Sequence, residues 1–295
     1  MQIFKKKTKK LNDPTGFDYF LVIFLLVFMA CIILPFAHMI AVSLSSNKEV
    51  ISGNVSFWPK GFTLSTYVYL FDDGSFLGAY KNTIFNTVVG TFLSLMTTAM
   101  AAYGLSRRKV VGQKLWSLMI LITMFFGGGM IPTYLTVVDY GLFNTRWSLI
   151  LPGLIGTYNL IIMRSFFIAY PKEIIESGEL DGLRDPGVFF HLVLPTSKAA
   201  LATIGLYYAV GYWNAYLNAR MYITDKSLYP VGHYLAIMLD SASKMTNNEG
   251  GDEGMRVATQ VQYGCIMIAS VPIMCVYPFI QKYFIKGVMI GSIKG

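Results

Sequence analysis

Charged residues are scarce in this 295-residue chain, at 14% of the sequence, against about 25% in soluble domains. That scarcity excludes an ordinary water-facing surface for most of its length. Cysteine and histidine are scarcer still, with Cys 3 and His 3. Cys31, Cys265 and Cys275 all lie inside apolar stretches, which suggests neither a disulfide framework nor a zinc site. His38, His191 and His233 fall in separate regions, so no metal is expected. No Gly-x-x-x-x-Gly-Lys-Ser/Thr stretch is present to cradle phosphates, so no nucleotide cofactor is expected on this chain. No nucleophile and base converge in the sequence either, so no catalytic residue is assigned and the chain does not read as an enzyme.

What is abundant is apolar: 54% of residues are hydrophobic and the mean hydropathy is +0.52. The apolar residues come in long runs. Phe20 to Val42 contains no Lys, Arg, Asp or Glu, and it exceeds the ~20 residues that cross ~30 Å of hydrocarbon. It is too long for the apolar core of a signal peptide and has no small-residue cleavage site, so it reads as an anchor. The whole chain reads as an all-α integral membrane protein with six transmembrane helices, at about 19–45, 82–105, 115–138, 148–169, 198–217 and 261–281. Residues 1–18 form a basic tail, 19–284 the membrane domain and 285–295 a second tail.

The net charge of +8 could point to nucleic acid, but the basic residues sit where topology would put them. Six spans place both termini on one side, and that side collects 15 of the 24 Lys and Arg against 8 on the other. Positive-inside counting therefore assigns both tails to the cytoplasm and the protein to a cell membrane, in contact with lipid and not with nucleic acid. Segment two is rich in Thr, Ser, Ala and Gly, which lets helices approach closely in lipid. Segment three contains Gly127-Gly128-Gly129 and Pro132, which should bend or break it; the stretch reads either as a hinge or pathway wall or as a tight packing point. Asn218 to Gln260 reads as a long polar loop, either solvated or facing an external partner through Glu249, Asp252 and Glu253.

Between segments four and five lies a polar stretch, 171–197, holding Glu173, Glu176, Glu179, Asp181 and Asp185. Pro171 suits a helix start, Gly182 can adopt the left-handed conformation that ends a helix, and Asp185-Pro186 reads as an N-cap followed by proline. The result is two short helices lying along the membrane surface. They are either an ordinary amphipathic linker or a docking element.

These residues resemble a family. Glu176-Ser177-Gly178, then Gly182, then Phe189, Leu192, Leu194 and Pro195 are similar to the EAA-type loop of ABC importer permeases. Six spans, the loop between the fourth and fifth, Trp213-Asn214, Phe57-Trp58-Pro59-Lys60-Gly61-Phe62-Thr63 and the terminal Lys294-Gly295 resemble the maltose-type carbohydrate permeases, specifically the smaller of their pair. The fold implied is that of a type I ABC importer permease. Ser177-Gly178 departs from the paired alanines of the pattern, at about 1 kcal/mol for glycine in a helix.

The resemblance implies a second permease subunit, two ATPase subunits carrying ATP and Mg, an extracytoplasmic solute-binding protein and a saccharide substrate. It implies that Glu176, Ser177, Gly178, Asp181, Gly182, Asp185, Phe189 and Pro195 form the coupling loop. Candidate substrate-path residues are Tyr158 and Asn159 in segment four, with Tyr207, Tyr208, Trp213, Asn214 and Asn218 in segment five. Tyr207, Gly211, Asn214 and Asn218 fall on one helical face, where aromatic rings and amides suit a sugar; each can equally be a packing residue. The Phe125–Pro132 stretch also resembles permeases for longer or acidic oligosaccharides. The alternatives are a permease for an amino acid or osmolyte, or an ion-coupled secondary transporter. The last would need ionisable residues inside its spans, where only Arg164 is a candidate.

Overall fold

The computed structural model describes residues 16–72, 74–107, 111–247 and 251–292, and every regular element among them is helical. The basic N-terminal tail up to residue 15, Arg108, Lys109, Glu249 and residues 293–295 lie outside the described residues. The chain divides into two compact units, one of 1–68 with 242–267 and one of 69–241 with 268–295.

The first unit is built on Gly16–Ser43, whose most apolar window has none of its residues buried. A stretch that apolar and buried nowhere inside its own chain must meet lipid or another protein. Its C-terminal end packs Ala41 and Val42 with Val50 and Val55. Buried Gln260 donates to the Ser45 carbonyl at 2.6 Å.

The second unit is organised by Gly74–Ser106, 33 residues long. One stripe of this helix, Asn82, Asn86, Gly90, Ser94, Thr98 and Ala102, recurs every four residues and is buried throughout. Lys198–Trp213 lies along it. Tyr208 Oη pairs with Thr98 Oγ1 at 2.6 Å and Tyr212 Oη with Ser94 Oγ at 2.8 Å. Each hydroxyl also reaches a third helix: Gly156 N–H donates to Tyr208 Oη at 2.9 Å, and Tyr212 Oη donates to the Ile150 carbonyl at 3.2 Å. Bonds of this kind between membrane helices contribute about 0.6 kcal/mol each, up to about 1.7. Farther along the same helix, Asn82 Nδ2 donates to the Ser227 carbonyl at 2.7 Å and Thr83 Oγ1 accepts from Val231 N–H at 2.8 Å, pinning the 224–231 corner.

Several expected segments take a different form. Among the described residues three helices are long and apolar enough to cross a membrane, Gly16–Ser43, Gly74–Ser106 and Arg256–Cys275; six crossings are reached only when three bent pairs each count as one. Segment three divides into Gln113–Phe125 and Met130–Asp139 at an angle of 113°. Gly129, at φ +89, starts the second helix. At 1.5 Å per residue these pieces span about 20 and 15 Å, each short of the ~30 Å hydrocarbon core. Segment four bends by 51° between Trp147–Gly153 and Thr157–Ile168, around Pro152, Gly153 and Gly156. Segment two begins at Gly74, eight residues earlier than the sequence suggested. The expected polar loop 218–260 is mostly helical, with Tyr216–Tyr222, Lys226–Leu228 and Val231–Asn247.

Segment five ends at Trp213, with Asn214 as its cap, and the chain restarts at Tyr216. Asn218 is therefore not on the face of Tyr207, Gly211 and Asn214. The helical-face reading fails at its last member because the helix stops first.

His233 opens a pH prediction at the 224–233 corner. The ring is 6% exposed, edge-on to Tyr229 at 4.3 Å, and its Nδ1 has no partner. Burial first, then the charge of Arg220, pulls its pKa below the ordinary 6.5. Above about pH 6.5 the folded and unfolded rings are both neutral, and stability is full; as pH falls toward the lowered folded value, only the unfolded ring takes a proton and stability is lost. Protection factors of amides 224–234, referred to the intrinsic exchange rate at each pH, should fall between pH 7.5 and 5.5, and His233→Phe should flatten that response; an equal response in both proteins would count against this role.

Candidate functional site

The 171–197 stretch forms a helix, a tight turn and a second, irregular helical run. Lys172–Leu180 is capped by Pro171 at its start. At its end Leu183 N–H donates to the Gly178 carbonyl at 3.0 Å and Gly182 N–H to the Glu179 carbonyl at 3.1 Å, the paired bonds of a Schellman turn. Gly182 sits at φ +85, a conformation that strains any side-chain-bearing residue by about 1–2 kcal/mol. Arg184 rather than Asp185 is the N-cap of the next helix, so Asp185 is its first helical residue. Residues Phe189–Val193 widen into a π-helical turn before Leu194–Thr196. The run Asp185–Thr196 meets Lys198–Trp213 at 83°, which turns the loop across the axis of the fifth segment.

Two apolar contacts seat this loop. Phe189 is 2% exposed and lies among Tyr103, at 5.0 Å between ring centres, and Phe167, at 6.5 Å. Gly178 is buried, and a Cβ added there would come within 2.5 Å of Leu192 Cδ1. The smallness of Gly178 thus serves the loop's own fold. Ser177 does remain exposed, with its hydroxyl bonded back to the Ile174 carbonyl at 3.0 Å. Tyr170 Oη and Thr196 Oγ1, 2.7 Å apart, close the two ends of the loop.

The loop's carboxylates divide into two sets. Glu179 and Asp185 both pair with Arg107, the residue that follows the long helix, with Asp185 at 3.0 Å. Burial opposes the Arg107 charge, but the Glu179 hydrogen bond and the neighbouring carboxylates hold its pKa above the usual range. The side chains of Glu173, Glu176 and Asp181 are exposed and make no hydrogen bond or ion pair with the described residues. Glu176 borders a cavity of about 250 Å³ together with Lys172, Ile175, Glu179, Phe167 and Arg107. Pro195 is exposed on the short Leu194–Thr196 turn. Arg107 and Glu179 were absent from the sequence-derived site. Arg107 reads in the sequence only as a topology charge, and nothing in the spacing announces that it faces residues 72 positions away.

The substrate-path candidates separate in the same manner. Tyr158 and Tyr207 come together, ring centres 6.5 Å apart, and are 57% and 38% exposed. Asn159 is half-buried beside Gly156. Tyr208 is buried in the helix pair described above and leaves the candidate path. Trp213 Nε1 donates to the Ala269 carbonyl at 3.2 Å, with its ring edge-on to Tyr80. Asn214 is exposed but donates back to the Val210 carbonyl at 2.9 Å. Asn218 is exposed on the separate helix Tyr216–Tyr222. No group of three or more metal-ligating side chains occurs among the described residues.

No protein-family model matches the chain. Individual proteins do, over almost its full length. It is 40% identical over 281 residues to the polygalacturonan/rhamnogalacturonan transport system permease protein YtcP of Bacillus subtilis, covering 95% of this chain and 98% of that one. The protein LplC of the same organism is 41% identical, covering 96% and 97% respectively. An arabinooligosaccharides transport system permease, AraQ of Halalkalibacterium halodurans, is 25% identical over 89% of this chain and 91% of its own. Among solved structures, a chain of a bacterial ABC transporter involved in the import of the acidic polysaccharide alginate superposes with a TM-score of 0.81 at 29% identity, covering 92% of this chain and 99% of that chain.

Proposed function

This chain belongs to the carbohydrate ABC transporter permeases, and from that premise we propose that it forms one half of a pore that admits an acidic oligosaccharide. The second half is another permease subunit. Two ATPase subunits, holding ATP and Mg, dock on the 171–197 loop, and an extracytoplasmic solute-binding protein delivers the sugar. Residues 19–284 are the membrane domain, and both tails lie on the cytoplasmic side of a bacterial cell membrane with the loop.

The observation that carries the coupling role is the division of the loop's acids. Two are consumed in fixing the loop to its own chain, while Glu173, Glu176 and Asp181 stand free on a preformed surface. A rigid loop with unspent charge suits transmission of a push from a partner, because preorganisation lowers the ordering cost of docking. The acidic substrate class is supported by the names of relatives that handle polygalacturonan and alginate, both polymers of uronic acids. Tyr158 and Tyr207 offer the exposed ring faces against which a sugar can lie.

Uptake by the four-subunit complex reconstituted in proteoliposomes, with its binding protein outside, tests the reading. Oligogalacturonides should enter in an ATP-dependent manner, with neutral maltooligosaccharides excluded. Equal entry of both would overturn the acidic class, and uptake independent of ATP would overturn the importer mechanism.

A further inference from the structure

Resting on the coupling role proposed above, we infer that Arg107 is a positioning residue that locks both helices of the 171–197 loop to the end of Gly74–Ser106. The loop and the long helix then move as one lever. Arg107 directly follows Ser106, and its side chain is only 16% exposed. A single guanidinium nitrogen, Nη2, reaches Glu179 in the last turn of Lys172–Leu180 and Asp185 at 3.0 Å, the first residue of the following helix. Those two acids stand on opposite sides of the Gly182 turn, so one group spans the joint of the loop. Its charge also lies 5.7 Å from the centre of the Tyr103 ring, on the same long helix.

The base of this clamp is itself fixed. The Leu105 carbonyl, two residues before Arg107, accepts from Arg164 Nε at 3.1 Å and from Gln113 Nε2 at 2.8 Å. Arg164 belongs to Thr157–Ile168, so a second helix is tied in at the same point.

Phe189 already holds the loop to this region, but apolar burial is non-directional. It keeps the loop attached without fixing its angle. A charge-assisted hydrogen bond from a planar guanidinium, here to Glu179 with Asp185 paired beside it, does fix direction. An isolated exposed ion pair contributes about 0–1 kcal/mol and would not suffice. Here the cation is largely buried, shared by two acids and packed on a ring. Loss of Arg107 should therefore leave the loop seated on Phe189 but free to pivot, and the push from the ATPase would be lost in that pivot. Lysine can restore the charge as a point and cannot restore the fixed N–H directions of the planar group.

The test uses the assembled complex in proteoliposomes, reading three quantities: ATPase co-purification, ATP hydrolysed and labelled oligogalacturonide taken up. Arg107→Ala should keep the ATPase bound while uptake per ATP falls about tenfold, a change of 1.4 kcal/mol in coupling. Arg107→Lys should fall between it and the native protein, and Arg107→Glu combined with Glu179→Arg and with Asp185→Asn, which removes the acid that would repel a glutamate at position 107, should recover part of the ratio. An unchanged ratio in Arg107→Ala overturns the clamp alone. Loss of the ATPase from Arg107→Ala, unrecovered in the charge-reversed variant, makes Arg107 a residue of folding and also overturns it. Absence of an ATPase from the native complex overturns the clamp together with the coupling role on which it rests.

Discussion

Substituting Glu176→Lys is expected to abolish substrate uptake and detach the ATPase, while leaving the permease folded. The side chain is exposed and makes no hydrogen bond or ion pair with the described residues. Surface changes of this kind alter stability by no more than about 0.5 kcal/mol. Its neighbours across the 250 Å³ cavity include Lys172 and Arg107, so a lysine there also adds a third cation to a surface that was balanced. If the carboxylate faces a basic group of the ATPase, reversing it replaces an attractive pair with a repulsive one. Breaking a buried charge pair at an interface costs about 2–5 kcal/mol, which lowers affinity by about 30-fold or more. Co-purification followed by uptake measures both effects. An ATPase still bound at native stoichiometry to Glu176→Lys would remove Glu176 from the docking surface.

The second large effect is expected in the membrane interior. Gly90→Val should lower the stability of the permease by about 1–3 kcal/mol, the range for overpacked cores. A Cβ at Gly90 would come within 2.8 Å of two atoms of the Tyr212 ring and 2.9 Å of a third. The ring cannot simply swing aside, because its hydroxyl bonds Ser94 at 2.8 Å and the Ile150 carbonyl at 3.2 Å. Either the helices separate or both bonds break. Glycine in a helix already costs about 1 kcal/mol relative to alanine, so close approach must offset that cost at this position. Gly104, on the same helix, has nothing within 4 Å of its added Cβ. Gly104→Ala should therefore be neutral or stabilising by up to about 1 kcal/mol. Thermal unfolding in detergent compares the three proteins. Equal midpoints for Gly90→Val and Gly104→Ala would contradict the packing described here.

The features that local chemistry determines were legible in the sequence. An uncharged run such as Phe20 to Val42 has no stable solution in water, and Gly182 followed by Asp185-Pro186 marks a turn between two helices whatever surrounds it. The triple glycine at 127–129 announced a break, though not one of 113°. The equally local signal of Pro152, Gly153 and Gly156 sat inside an apolar run and was overridden by it. Less visible was everything decided by tertiary partners. Tyr207 and Tyr208 are adjacent and chemically alike, yet one is exposed and the other is bonded to Thr98. Only the position of Gly74–Ser106 separates them. Nothing local to Gly178 shows that Leu192 packs against it. Arg107 looked like a topology charge and meets two acids of the loop. The 218–260 stretch lacks a long apolar run and so resembled a loop, although short helices there hang on Asn82, Thr83 and Asn144 from distant parts of the second unit.

Affinity purification of this chain from its native membrane, with mass spectrometry and an ATP hydrolysis assay on the eluate, tests the central claim most directly. A second permease subunit and an ATPase should co-purify with it, and hydrolysis should rise when the binding protein arrives loaded with an acidic oligosaccharide. Recovery of the chain without an ATPase, after solubilisation mild enough to keep membrane complexes together, would contradict the coupling role of the 171–197 loop.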